Sequence, residues 1–242
     1  MLKYASLSET GNRKYNEDYL RISSISNRHC FVVCDGLGGH DYGDLAAKIV
    51  ANTFVDELYY ADHLPDFLLN TFVKAQKNIE LKQKLSNTKK DMKTTAVCML
   101  TDENNLYVGH VGDSRLYCFK KDGTYTRTLD HSIPQILVQS NTITEEEIRN
   151  HPNRNMLLKV IGDKWDEPLC EIADPVPIDD CFAFLLCSDG FWELINETEM
   201  ISTLKSSSTP QEWLDKMKNI VEQNGTSREM DNYTAITVFY EK

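Results

Sequence analysis

The chain has 242 residues, 41% of them apolar and 26% charged, and a formal net charge of −11. That composition excludes collagenous, low-complexity and disordered classes, and the acidic balance argues against nucleic acid: the lysine-rich stretch at 82–93 lacks interleaved aromatics and forms no basic patch. The longest apolar run, 181–187, is far short of the roughly 20 residues that span a bilayer, and no signal-peptide-like segment opens the chain, so a cytoplasmic protein without membrane contact is expected.

A β-branched, apolar run at 31–34 predicts the first strand. Apolar positions then step at three and four, through Ala46, Val50, Phe54 and Leu58 and again through Leu68, Phe72, Ala75 and Ile79, which predicts two amphipathic helices. Strands follow at 94–101, 106–111 and 115–119, the last ending in a Lys121-Asp122-Gly123 turn. Thr144 to Glu147 and Asn196 to Glu199 each pair a capping side chain with a glutamate three residues on, the sign of a short helix.

Beyond a strand at 182–187, Thr209-Pro210-Gln211-Glu212 reads as a capping box opening a helix with Trp213, Met217 and Ile220 on one face, and a strand at 234–240 closes the chain. This order predicts an α+β fold of mainly antiparallel sheets flanked by helices, in a single domain over 1–242. A chain of this length buries roughly 70% of the surface its unfolded form exposes, so a metal would serve chemistry and not hold the fold together. The seven cysteines include no C-x-x-C pair and read as buried free thiols in a reducing compartment.

The acids fall in a pattern relative to these strands. Three apolar runs end in Asp followed by a small residue, at Cys34-Asp35-Gly36, Gly112-Asp113-Ser114 and Ser188-Asp189-Gly190, and a fourth begins at Asp231-Asn232. Any one of these is ordinary turn chemistry. If the last strand lies antiparallel to the other three, all four carboxylates emerge at one end of the sheets and repel one another unless cations neutralise them. Oxygen ligands without His or Cys at ligand spacing favour Mg²⁺ or Mn²⁺ over zinc.

The run Gly36-Leu37-Gly38-Gly39 fits neither a dinucleotide fingerprint, because Asp41 stands at the sixth position, nor a Walker loop, because no Gly-Lys-Ser/Thr follows. Its glycines let the backbone approach an ion or turn tightly, which makes the Gly36 carbonyl a candidate ligand. Near the start of the chain Arg13 sits in a polar turn with Glu17 and Asp18, where its planar fork could hold a phosphate.

Taken together, Gly11-Asn12-Arg13-Lys14-Tyr15-Asn16-Glu17-Asp18, Asp35-Gly36-Leu37-Gly38-Gly39-His40, Gly112-Asp113-Ser114-Arg115, Ser188-Asp189-Gly190 and Asp231-Asn232-Tyr233-Thr234-Ala235 resemble the ordered motifs of the metal-dependent protein phosphatases, the PPM or type 2C family. The segment from Asp130 to Asn155 resembles the flap region of its compact bacterial members, with a flap-like insert at about 135–156 that would touch substrate, and His131 at its start reads as structural. The resemblance implies a β-sandwich of two antiparallel sheets flanked by helix pairs, with a two-metal centre at one end. Asp35 would bridge two Mn²⁺ or Mg²⁺ ions, Asp189 and Asp231 would bind the first, and the Gly36 carbonyl the second. Asp113, with Asp189, corresponds to a third, weaker site. Glu17 and Asp18 would act through metal-bound waters, with Asn232 beside them, and Arg13 would grip the substrate phosphate.

The implied reaction is hydrolysis of phosphoserine or phosphothreonine by direct attack of a hydroxide shared between the two cations, without a phosphoenzyme. Cys34 and Cys187 are then core residues and not nucleophiles. Some members carry His directly after the Asp-Gly, proposed to protonate the leaving oxygen; this chain has Leu37 there, and His40 or a metal-bound water would take the role, although a lone histidine at that place can equally be a hydrogen-bonding residue at a helix start. The implied partners are a phosphoprotein substrate and an opposing bacterial Ser/Thr kinase, with the phosphatase a monomer. Two other readings compete: a pseudophosphatase acting as a regulatory binding module, whose usual sign is loss of a metal aspartate, and a two-metal nuclease, which the net charge of −11 disfavours.

Overall fold

The computed structural model describes residues 2–37, 42–61, 64–86 and 92–241. The chain begins with β1 (Leu2–Glu9), β2 (Asp18–Ile25) and β3 (Arg28–Leu37), followed by the helix pair α1 (Gly43–Leu58) and α2 (Leu64–Ser86). A run of strands comes next: β4 (Lys93–Thr94), β5 (Ala96–Thr101), β6 (Asn105–Val111), β7 (Arg115–Phe119) and β8 (Tyr125–Arg127). Then come α3 (Ile133–Gln139), a 3-10 turn at Glu146–Asn150, and the short strands β9 (Glu171–Ile172) and β10 (Val176–Pro177). The last part holds β11 (Ala183–Cys187), α4 (Asp189–Trp192), α5 (Glu197–Lys205), α6 (Pro210–Gly225) and β12 (Tyr233–Tyr240).

Two antiparallel sheets result. One orders its strands β1-β12-β11-β7-β8 and the other β10-β6-β5-β3-β2, with β4 added to β3 and β9 to β6. The central strands are apolar on both faces because each face has a separate layer to meet. Along β3, Cys30, Val32 and Cys34 face α1 and α2, while Phe31 and Val33 face the opposite sheet. Along β11, Ala183, Leu185 and Cys187 pack with α6 residues such as Trp213 and Met217, while Phe184 and Leu186 meet Phe31 and Val33 between the sheets. The expected α+β sandwich with helix pairs outside is therefore present. No helix among the described residues is long and apolar enough to cross a membrane.

Local signals hold with informative shifts. Asn196 makes a full capping box: its Oδ1 accepts the Glu199 N–H and Glu199 accepts the Asn196 N–H, both at 2.9 Å. At α6 the Thr209 hydroxyl accepts the Glu212 N–H (3.1 Å), but Glu212 reaches back to the Ser208 N–H (2.8 Å) and not to that of Thr209. The short helix expected from Thr144 is only the 3-10 turn: Glu147 accepts the Thr144 N–H (2.7 Å), but the N-cap residue is Glu145, whose side chain makes no cap hydrogen bond. On α6 the deep position is Val221, and Ile220 is only partly buried. The strand expected at 94–101 breaks at Thr95, whose N–H and side chain turn to Asp35. The edge strands β1 and β2 show no apolar run in the sequence because they are only partly buried and half polar.

All seven cysteines are unpaired and all but Cys170 are buried, as expected of thiols that fill the core. Leu186→Ala, which empties a fully buried position between the sheets, is expected to cost about 2–5 kcal/mol in chemical denaturation. Leu85→Ala on the exposed end of α2 should stay within about 0.5 kcal/mol of the parent.

Candidate active site

Strand direction brings the acids together. Both β3 and β6 pair antiparallel with β5, so they run the same way and deliver Asp35 and Asp113 at the same end. β11 and β12 are antiparallel to each other, so Asp189, just past the end of β11, lies beside Asp231, just before β12. The four carboxylates line one cleft of about 590 Å³, which Arg13, Glu17, Gly36, Asn155, Leu157 and Asn232 also line. Asp18 faces Asp35 across the β2–β3 ladder beneath it.

The loops are fixed by hydrogen bonds from side chain to backbone. Asn232 Oδ1 accepts the Glu17 N–H (2.8 Å), and its Nδ2 donates to the Thr10 (2.8 Å) and Tyr15 (3.0 Å) carbonyls, so one amide binds the Arg13 loop to the start of β12. Thr95 Oγ1 accepts the Asp35 N–H (3.1 Å) and meets Ser114 Oγ at 2.7 Å, which joins the Asp35 strand to the Asp113 turn. Gly36 is required by close packing: a Cβ there would lie 2.4 Å from the Gly43 backbone and 2.6 Å from the Glu17 carbonyl. Arg115 of the same Gly-Asp-Ser-Arg stretch faces away from the cleft. It is buried, bidentate on Asp130 (2.8 and 2.6 Å), and 3.4 Å over the Trp192 ring, whose Nε1–H donates to the Asp113 carbonyl (3.0 Å).

Burial and mutual charge push this cluster towards protonation. Desolvation first, and then the neighbouring Asp189 and other carboxylates, raise Asp35 and Asp113 well above the usual carboxylate range, and Asp189 is raised in the same way beside Asp231. Asp18 is pushed up to about 7 by burial, although Ser188 donates to its Oδ2 at 2.7 Å. The other oxygen, Oδ1, is buried with no hydrogen-bond partner. An oxygen-only donor set with excess negative charge and an orphaned buried carboxylate oxygen fits hard divalent cations and suits zinc or a redox metal poorly.

Arg13 is bidentate on Asp231 (2.9 and 2.8 Å), and both side chains remain nearly half exposed, at 49% and 41%. An ion pair this open is worth only about 0–1 kcal/mol, so a phosphate dianion can displace the carboxylate from the guanidinium.

The described site therefore brings together Arg13, Glu17, Asp18, Asp35, Gly36, Asp113, Asp189, Asp231 and Asn232. His40 lies outside the described residues. Cys34 and Cys187 are fully buried, with thiol pKa values raised by burial, as core residues would be. The sequence marks no role for Thr95, and it marks Ser188 and Asn155 only as members of longer motifs. Thr95 and Ser188 act through one hydroxyl each, and Asn155 reaches the cleft only through the path of the 133–157 segment. That segment is anchored by the buried Ile148 and by Arg149, which donates to the Trp192 (3.1 Å) and Ile195 (3.2 Å) carbonyls.

In metal-free protein Asp18 keeps its proton up to about pH 7, whereas an unfolded aspartate releases it near about 4. The folded state then binds more protons between those limits, and stability should fall as pH rises through that window. Thermal denaturation in EDTA from about pH 5 to 8 measures the slope, and Asp18→Asn should flatten it and raise the midpoint at the alkaline end.

A family model described as Protein phosphatase 2C matches residues 8–233. The serine/threonine phosphatase stp of Listeria monocytogenes serotype 4b is 30% identical over 233 residues, covering 93% of this chain and 90% of its own. Among solved structures, serine/threonine phosphatase Stp1 from Staphylococcus aureus has a TM-score of 0.88 at 29% identity, covering 100% of this chain and 96% of that one. The catalytic domain of the serine/threonine protein phosphatase PstP in complex with two manganese ions shares the fold, with a TM-score of 0.79 at 24% identity over 98% and 97% of the two chains. With the family model spanning nearly the whole sequence, and the acids, the arginine and the asparagine of its motifs gathered in one cleft, the chain belongs to the protein phosphatase 2C family.

Proposed function

We propose that the cleft hydrolyses phosphoserine and phosphothreonine in proteins, and that Asp35, Asp189, Asp231 and the Gly36 carbonyl hold two Mn²⁺ or Mg²⁺ ions, with Asp113 and Asp189 offering a weaker third site. The chain is a metal-dependent serine/threonine protein phosphatase by family, and the convergence of four strand-end aspartates on the cleft of Arg13 carries the assignment of its site. The bound cations would neutralise the carboxylates and polarise both water and phosphoryl oxygens.

The chain's own groups supply orientation. Arg13 exchanges Asp231 for the phosphate and orients it through two of its oxygens. Asn232 holds the Arg13 loop against β12, so that the guanidinium stays above the carboxylates. Glu17, at the cleft wall, and Asp18, buried beneath Asp35, would reach the cations through bound water. Asn155 and Leu157 form the wall against which a substrate chain lies. His40, which lies outside the described residues, is the further candidate contact to the phosphate.

We infer a monomer opposing a serine/threonine kinase in the cytoplasm, where a reducing environment would keep the seven cysteines as the free thiols seen in the fold. A role as a binding module with a crippled site is not favoured, because every acid that the two-metal reading requires is present and converges.

A phosphothreonine peptide should be hydrolysed with Mn²⁺ and not in EDTA. Asp189→Asn should lower kcat/KM by about 100-fold or more without unfolding the protein, and Arg13→Ala should lower it by about 10–100-fold. Folded, metal-replete protein inactive on several phosphopeptides would instead support the binding-module reading.

A further inference from the structure

Two buried histidines that the cleft chemistry does not use, His110 and His131, lie where the end of β6 meets the start of the 133–157 segment. His131 closes on Gly112 twice: its backbone N–H donates to the Gly112 carbonyl (2.9 Å), and its Nδ1 accepts the Gly112 N–H (3.2 Å). The His131 carbonyl in turn accepts the Leu158 N–H (2.8 Å), and the next residue, Ser132, bridges to Leu157. One residue thus joins the turn carrying Asp113 to both ends of the segment whose Asn155 and Leu157 wall the cleft. Its ring is buried and stacked on His110 (centroids 4.6 Å apart, 15° between planes), which is itself held by a 2.7 Å hydrogen bond from Nε2–H to the Leu129 carbonyl.

The turn has little other freedom. Gly112 lies at φ +97°, where a side chain is strained, and a Cβ would meet Thr95 at 2.5 Å. Its buried N–H has His131 Nδ1 as acceptor, and a buried donor left without one is costly.

That bond also fixes the tautomer. Burial, with His110 alongside, lowers the His131 pKa to about 3, so the ring is neutral and carries its proton on Nε2. Nε2 is buried without a hydrogen-bond partner, 3.5 Å from Glu171 Oε2. His110, His131 and Glu171 place ligand atoms within 4.8 Å of one another, but ligation through His131 Nε2 would move the proton to Nδ1, directly opposite the Gly112 N–H. The trio is therefore not an imidazole metal site, and the useful atom of His131 is Nδ1.

We propose that His131 is a positioning residue: by accepting the Gly112 N–H, its Nδ1 sets the Gly112–Asp113 turn and ties Asp113 to the cleft-facing end of the 133–157 segment. The consequence for metal binding rests on the reading of Asp113 as a ligand of the third cation.

His131→Asn keeps an acceptor near the position of Nδ1, whereas His131→Phe keeps the ring and its stacking but has no acceptor. If His131→Phe does not fold, His131→Gln takes its place, since its amide oxygen extends towards the Nε2 position. The first measurement is hydrogen exchange of the Gly112 amide in ¹⁵N-glycine-labelled, EDTA-treated protein. Protection should survive in His131→Asn and fall about tenfold or more in His131→Phe, with both variants folded. The second is the Mn²⁺ concentration for half-maximal hydrolysis of a phosphopeptide, expected to rise about tenfold in His131→Phe and to stay near that of the parent in His131→Asn. Equal Gly112 exchange in the two variants overturns the proposal, and so does an unchanged Mn²⁺ dependence in a variant that has lost the protection. An inactive parent would count against the catalytic reading alone, and the exchange measurement would still decide the role of Nδ1.

Discussion

Everything at the cleft end of this molecule is arranged around the repulsion between carboxylates. Two unit charges about 4 Å apart at an effective dielectric near 20 interact by about 4 kcal/mol, and a whole domain is stable by only about 5–15 kcal/mol. Asp35, Asp113, Asp189 and Asp231 in one cleft, with Asp18 buried behind them, would strain the fold if all were ionised and uncompensated. The folded chain answers within its own means by raising the proton affinity of Asp18, Asp35, Asp113 and Asp189 and by laying Arg13 on Asp231. Divalent cations held there would meet the same demand more completely and would supply the charge that polarises a bound phosphate.

Holding such a cluster requires a scaffold that cannot relax away from it. The aspartates stand at or beside the ends of strands whose central residues are buried between layers, so moving one carboxylate means moving a packed strand. Small polar groups then fix the loops. Thr95 ties the Asp35 strand to the Asp113 turn, Asn232 ties the Arg13 loop to Asp231, and Ser188 joins the Asp189 loop to Asp18. His131 adds a fourth tie, which leads from the carboxylates to the segment that lines the cleft through Asn155 and Leu157.

The sequence was most legible where one physical demand produced a pattern. Central strands showed as apolar runs because both faces are buried, and α1, α2 and α6 showed as three-and-four periodicities because only one face is. The aspartates were legible because three follow an apolar strand run and the fourth precedes one, so strand direction alone decides where each emerges. β1 and β2 were not, since edge strands meet a partner on one side only and their half-polar sequences carry no comparable run. Thr95, Ser188 and His131 were illegible as partners for a similar reason. Their roles depend on which backbone group lies within about 3 Å, and only the tertiary fold sets that.

Calorimetric titration of Mn²⁺ into EDTA-stripped protein near pH 6, repeated in buffers of different ionisation enthalpy, tests the central claim most directly. If cations relieve a partly protonated carboxylate cluster, Mn²⁺ should bind at the cleft with release of protons and should stabilise the fold more at high pH than at low pH. Binding without proton release, or a fold indifferent to Mn²⁺ across that range, would contradict the account.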